Sequence, residues 1–206
     1  MTPSSQPRPA AGYRRSAGSD RGEARRRELL DRVTDDLAAN GLVDFSLRRA
    51  ARAAGTTHKV LLYYFDGAED LLAQAVYRLR ERRIGPAMAA ASGDQTLADR
   101  VRAVAEVLLA EESGLRRVLD QAMGLAMYDT ARYAALGREA TRQYLPGLVA
   151  LCPEGWTGQR KRQVAEMILA TLRGFTTEQL FSDDTEGITA GLEALLRALD
   201  REEAAG

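Results

Sequence analysis

Apolar residues in this chain recur at steps of three and four and never alternate over a sustained run, so the sequence reads as helices without strands. Leu29, Leu30, Val33, Leu37 and Ala38 form one stripe, which predicts a first helix over about Glu23–Asn40, stopped by Asn40-Gly41. Two short patterns follow. Ser46 is placed to cap the first; Leu47, Ala50, Ala51 and Ala54 share its inner face, and Gly55 ends it, since glycine accepts positive φ. Thr57 is placed to cap the second, with Val60, Leu61 and Tyr64 turned inward and His58, Lys59 and Tyr63 outward. Asp66-Gly67-Ala68-Glu69 reads as a capping box with Asp66 at the cap. The next helix buries Leu71, Leu72, Ala75, Val76 and Leu79, ends in a polar run of Arg78, Arg80, Arg82 and Arg83, and is expected to stop near Ile84 at Gly85-Pro86. Ala87–Asp94 reads as a loose linker.

Beyond it the pattern stays helical. Leu97, Val101, Val104, Ala105 and Leu108 give one face of a helix over Thr96–Glu112. Leu115, Val118, Leu119, Ala122, Met123, Ala126 and Met127 give a second. Ala131–Cys152 is a third, expected to kink or break at Pro146-Gly147. Thr157–Phe181 and Asp183–Glu203 are the last two. In the final helix Ile188, Leu192, Leu195 and Leu199 make a large stripe beside a small one of Gly187, Gly191, Ala194 and Ala198. Ala170, Gly174 and Thr177 repeat the small stripe in the helix before it. Such paired stripes let another helix approach closely, which favours pairing with a second copy over packing within one subunit.

The stretch Phe45–Phe65 carries the chemistry. Two short helices across a tight turn, with the small Ala51 where they touch, make a helix-turn-helix, whose second helix enters the DNA major groove. Formal net charge is zero, which alone argues against nucleic acid, but its distribution does not: residues 1–84 carry 16 Lys and Arg against 11 Asp and Glu, and residues 85–206 carry 13 against 18. Arg25, Arg26 and Arg27 open the first helix against its dipole, which hints at an outside phosphate. Residues Met1–Gly22, rich in Pro, Ser, Gly and Arg, read as a disordered leader; Arg8, Arg14, Arg15 and Arg21 make an arm that touches DNA the lesser reading. Cys152 is the single cysteine and His58 the single histidine, so neither a disulfide nor a thiolate metal site is expected. No apolar run is long enough to cross a bilayer, and a reduced cytoplasmic setting, at the nucleoid, fits.

Arg25–Val76 resembles the DNA-binding domain of the TetR family of transcriptional regulators. The resemblance lies in Gly41 closing the first helix, Ser46-Leu47-Arg48-Arg49-Ala50-Ala51, Gly55 in the turn, Tyr63-Tyr64-Phe65, and Leu71-Leu72. Outside those fifty or so residues it is an outline only, with Leu172-Arg173-Gly174-Phe175 similar to a common pattern in the penultimate helix. The family usually carries a basic residue where Ala68 stands, which removes one phosphate contact; Leu62 replaces an aromatic, and Lys59 replaces a frequent glycine and adds a cation.

The resemblance implies an all-α protein: an arm at 1–22, a helix-turn-helix domain at 23–68, a connector helix at 69–86, and a ligand-binding and dimerisation domain at 87–206. It implies a ligand-responsive repressor that binds a palindromic operator as a homodimer and is released by a small molecule. Ser46, Tyr63 and Tyr64 are then phosphate candidates, although core packing is a strong alternative for Tyr64. Arg48, Thr57, His58 and Lys59 are base-edge candidates. For the ligand, Met123, Met127, Tyr128, Tyr144 and Phe175 are the pocket candidates, with ordinary core as the rival. Ala170, Gly174, Ile188, Leu192, Leu195 and Leu199 are the interface candidates. No cofactor or metal is expected. An enzyme would need a nucleophile with a base, paired carboxylates or a metal cluster, and with one Cys, one His and no Glu-x-x-His that reading is weak. A helical-bundle adaptor that binds protein is the remaining alternative.

Overall fold

The computed structural model describes residues 19–93, 95–110, 114–182 and 184–205. Their secondary structure is nine α-helices, with no strand among the described residues. The chain divides between Ala75 and Val76 into two compact units.

The first unit holds α1 (Asp20–Asn40), α2 (Leu47–Ala53), α3 (His58–Tyr64) and the start of α4 (Ala68–Ala90). Helix α1 begins three residues before the sequence suggests, because Ser19 caps it by accepting from the Gly22 N–H at 3.2 Å. The Asp20–Gly22 end of the expected leader is therefore helical; residues 1–18, with Arg8, Arg14 and Arg15, lie outside the described residues. Gly41 closes α1 at φ 75°, its N–H donating to the Leu37 carbonyl. Leu29, Leu30, Val33 and Leu37 of α1 are buried, as are Ala50, Ala51 and Ala54, Leu61, Phe65, Leu71, Leu72 and Ala75. Gly55 sits at φ 61° in the turn between α2 and α3. Helix α4 starts at Ala68, and Asp70 reaches back to accept from the Asp66 N–H at 3.0 Å.

The second unit holds the rest of α4, then α5 (Leu97–Ala110), α6 (Gly114–Tyr128), α7 (Thr130–Leu151), α8 (Gly158–Glu178) and α9 (Thr185–Ala204). Glu111, Glu112 and Asp183, at the expected ends of two helices, lie outside the described residues. Gly85-Pro86 does not stop α4. Proline removes one backbone donor but the helix continues to Ala90, because Ala87 and Ala91 are buried in the core and hold the last turns in place. Half of the expected linker is thus helix. Pro146-Gly147 does not break α7 either. Gly147 is there for close approach: a Cβ on it would lie 2.8 Å from Met88 Sδ of α4. The core runs through Leu97, Val101, Val104 and Leu108 of α5, Leu148 and Leu151 of α7, and Ile168 and Leu172 of α8. Cys152 belongs to it; burial pushes its thiol pKa up, and its Sγ donates to the Leu148 carbonyl at 3.5 Å. No helix among the described residues is long and apolar enough to cross a membrane.

Candidate DNA-reading face and ligand cavity

Helix α3 is seven residues held at both ends. Thr57 caps it, accepting from the Val60 N–H at 3.4 Å, and Leu61 is its buried anchor. Ser46 caps α2 in the same way through Arg49 N–H, at 3.3 Å. Between them they leave Ser46, Arg48, Thr57, His58 and Lys59 exposed. Tyr63 and Tyr64 are half-buried and meet edge to face, ring centroids 4.8 Å apart. Arg52, at the end of α2, is exposed as well, and the sequence reading passed over it. Its signal was there: it lies four residues after Arg48, one turn along the same face.

Other arginines of this unit build the scaffold. Arg26 donates to the Tyr64 carbonyl at 3.3 Å, bonds Gln74, and lays its guanidinium 5.0 Å from the Phe65 ring centre. Arg32 donates to the Ala54 carbonyl at 3.1 Å. Arg49 bridges Asp36 at 2.8 Å and the carbonyls of Val43 and Gly41 at 2.7 and 2.8 Å. Arg25 pairs with Glu28. Of the arginine run at the start of α1, Arg26 is used inside the fold, Arg25 is in a surface pair and Arg27 is exposed.

The second unit encloses a cavity of about 70 Å³. Its wall is mostly apolar, from Val104, Leu108, Leu119, Leu148, Leu169 and Leu172, but it carries Arg80, Arg83, Arg173, Asp120, Tyr144 and Thr176. Of the pocket candidates, Met123 and Tyr144 line it. Met127 and Tyr128 do not: at the end of α6 they are 79% and 90% exposed. Phe175 does not either. It turns to α9, where Gly191 makes room for it; a Cβ there would lie 2.8 Å from Phe175 Cε1. The charged wall was missed. Arg80 and Arg83 read as a polar helix end, yet Val76, Arg80, Arg83 and Ala87 continue one helical stripe and all are buried.

The interface candidates fall into two groups. Ile188, Leu192, Leu195 and Leu199 are buried by their own chain, so the large stripe of α9 packs inward; this corrects its reading as a surface for a second copy. Ala170 and Gly174 on α8 are exposed. Among the described residues no group of His, Cys, Asp and Glu could hold a metal.

Neither a family model nor a curated protein matches the chain. Solved structures do. It is 27% identical to the candidate transcriptional regulator SCO7518 of Streptomyces coelicolor A3(2), over 84% of this chain and 96% of that one, with a TM-score of 0.66. A TetR-family candidate regulator of Rhodococcus sp. is 17% identical over 86% and 97%, with a TM-score of 0.65. This is the fold of the TetR-family transcriptional regulators. It recurs in the regulator FadR of Bacillus subtilis, solved with stearoyl-CoA, at 17% identity over 84% and 96% and a TM-score of 0.56. These TetR-fold neighbours are transcriptional regulators and not enzymes.

Proposed function

We propose that this chain is a cytoplasmic, ligand-responsive repressor that binds a palindromic operator as a homodimer and is released by a small molecule. The observation that carries the reading is the division of labour among the cations of the first unit. Arg26, Arg32 and Arg49 are tied to carbonyls, Gln74 and Asp36, while Arg48, Arg52, His58 and Lys59 stay exposed around the helix-turn-helix. Exposed Arg and Lys suit guanine O6 and N7, and the Thr57 methyl suits thymine. Ser46, Tyr63 and Tyr64 are assigned to phosphates, which set register rather than sequence.

The dimer reading rests on Gly174. Beyond its chain neighbours and the backbone of its own helix, nothing of its own chain lies within 4 Å of a Cβ placed there. A mid-helix glycine costs about 1 kcal/mol against alanine, so a glycine that its own fold does not need fits the close approach of a second copy, across Ala170 and Gly174. For release, α4 supplies Arg80, Arg83, Ala87 and Met88 to the cavity, and its first turn belongs to the reader. A ligand that favours one placement of this unbroken helix shifts the spacing of two readers. Gly85-Pro86, expected from sequence to stop this helix, lies within it.

The experiment is selection of genomic DNA fragments by the purified protein, followed by sequencing and footprinting. Enrichment of one inverted repeat, with half-sites about one helical turn apart or a simple multiple, supports the reading. Recovery of fragments without a common repeat contradicts it.

A further inference from the structure

The cavity wall holds three guanidiniums, those of Arg80, Arg83 and Arg173. Arg80 is 2% exposed, and its bonds go to neutral oxygens: the Leu136 carbonyl at 2.7 Å and the Gln143 side chain at 3.5 Å. Burial above all brings its pKa down to about 10, so it stays charged at neutral pH; Arg173 adds repulsion, which Tyr144 and Glu139 offset. The carboxylates nearby are engaged. Asp120 lies 3.7 Å from Arg116, and Glu139 lies 3.6 Å from Arg142. Polar atoms of the wall that are buried without a hydrogen-bond partner include Arg173 Nη2 and Tyr144 Oη. Leaving buried donors unmet is costly, and three guanidiniums share this wall with one carboxylate, Asp120, which lies beside Arg116. Around these groups the wall is Leu and Val. The space, about 70 Å³, is several times the roughly 10–15 Å³ that one water needs, enough for a compact organic molecule.

We infer that the effector is a compact organic monoanion, a carboxylate on an apolar body, whose oxygens accept from Arg173 Nη2 and Tyr144 Oη beside Arg80. The inference rests on reading this cavity as the effector site. A guanidinium matches a carboxylate in shape and charge. A neutral amide of the same shape offers one acceptor oxygen in place of two and supplies no charge, and an ammonium adds repulsion. The apolar wall takes the body of the molecule, which fixes it by area rather than by direction.

The test is titration calorimetry of the full-length protein with hexanoate and benzoate, each beside its amide, and with hexylammonium. At least one carboxylate is expected to bind, at least tenfold tighter than its amide, with no binding of the ammonium. Arg173→Met should lower carboxylate affinity at least tenfold and amide affinity by a smaller factor. Tyr144→Phe should lower it by a smaller factor, and it removes one oxygen only, so it serves if Arg173→Met fails to fold. Equal affinity for acid and amide, binding of neither carboxylate, or wild-type affinity in the folded variants overturns the inference. Repeating the titration with the selected operator separates the two readings. Carboxylate binding that operator leaves unchanged removes the effector role but keeps the anion site; operator-coupled binding of the amide as tight as that of the acid keeps the role and removes the anion.

Discussion

At the scale of single residues, one residue type does two jobs. Arg49 and Arg48 are neighbours, yet Arg49 bridges Asp36 and two carbonyls while Arg48 is exposed. The sequence shows both as cations on a short helix. It cannot show which one has a partner, because Arg26 finds the Tyr64 carbonyl 38 residues away. The caps were legible, because a cap acts over three residues: Ser46 and Thr57 do what their positions suggest. Lys59→Ala and Arg48→Ala should each weaken operator binding by about 1–3 kcal/mol with the melting temperature unchanged. Competition titration and calorimetry on the same samples check this, and wild-type affinity in both variants removes the base-reading assignment. Gly55→Val should act on the fold instead. At φ 61°, with a Cβ 3.2 Å from Arg32 Nη1, a β-branched side chain costs about 1–2 kcal/mol or more. Loss of DNA affinity with a lowered melting transition is the expected outcome; unchanged melting would mean that the turn does not need glycine.

At the scale of helices, the stripes were legible and their ends less so. Proline and glycine read as stops at Gly85-Pro86 and Pro146-Gly147, yet both helices continue, since tertiary packing of Ala87, Ala91, Leu148 and Leu151 outweighs one lost hydrogen bond. The large stripe of α9 was read as an outer surface because a sequence does not say how many neighbours a helix has. Two glycines on adjacent helices carry different expectations, one for the core and one for the proposed interface. Gly191 faces Phe175, so Gly191→Val should overpack the core and cost about 1–3 kcal/mol, part of which Phe175→Ala in the same chain restores. Gly174 faces open space, so Gly174→Leu should leave monomer stability nearly unchanged and shift the sedimentation equilibrium from dimer to monomer. If Gly174→Leu sediments as the parent does, the second copy docks elsewhere.

At the scale of the whole molecule, the uneven charge was legible and the cavity was not. Excess cations in residues 1–84 and excess anions in 85–206 follow from counting. A cavity forms where five helices fail to fill a volume, and its charged wall comes from α4, α6 and α8; no local pattern in one helix carries that information. The central claim, that the exposed cations of the first unit read DNA, is tested most directly by fluorescence anisotropy. The full-length protein is titrated into the selected operator and into a scrambled duplex of equal length, over a series of salt concentrations. Phosphate contacts release counterions, so the logarithm of affinity should fall linearly with the logarithm of salt on both duplexes, and the operator should bind on the order of a thousandfold tighter or more. Equal affinity for both duplexes, or binding that does not respond to salt, would contradict the claim and leave a protein-binding adaptor in its place.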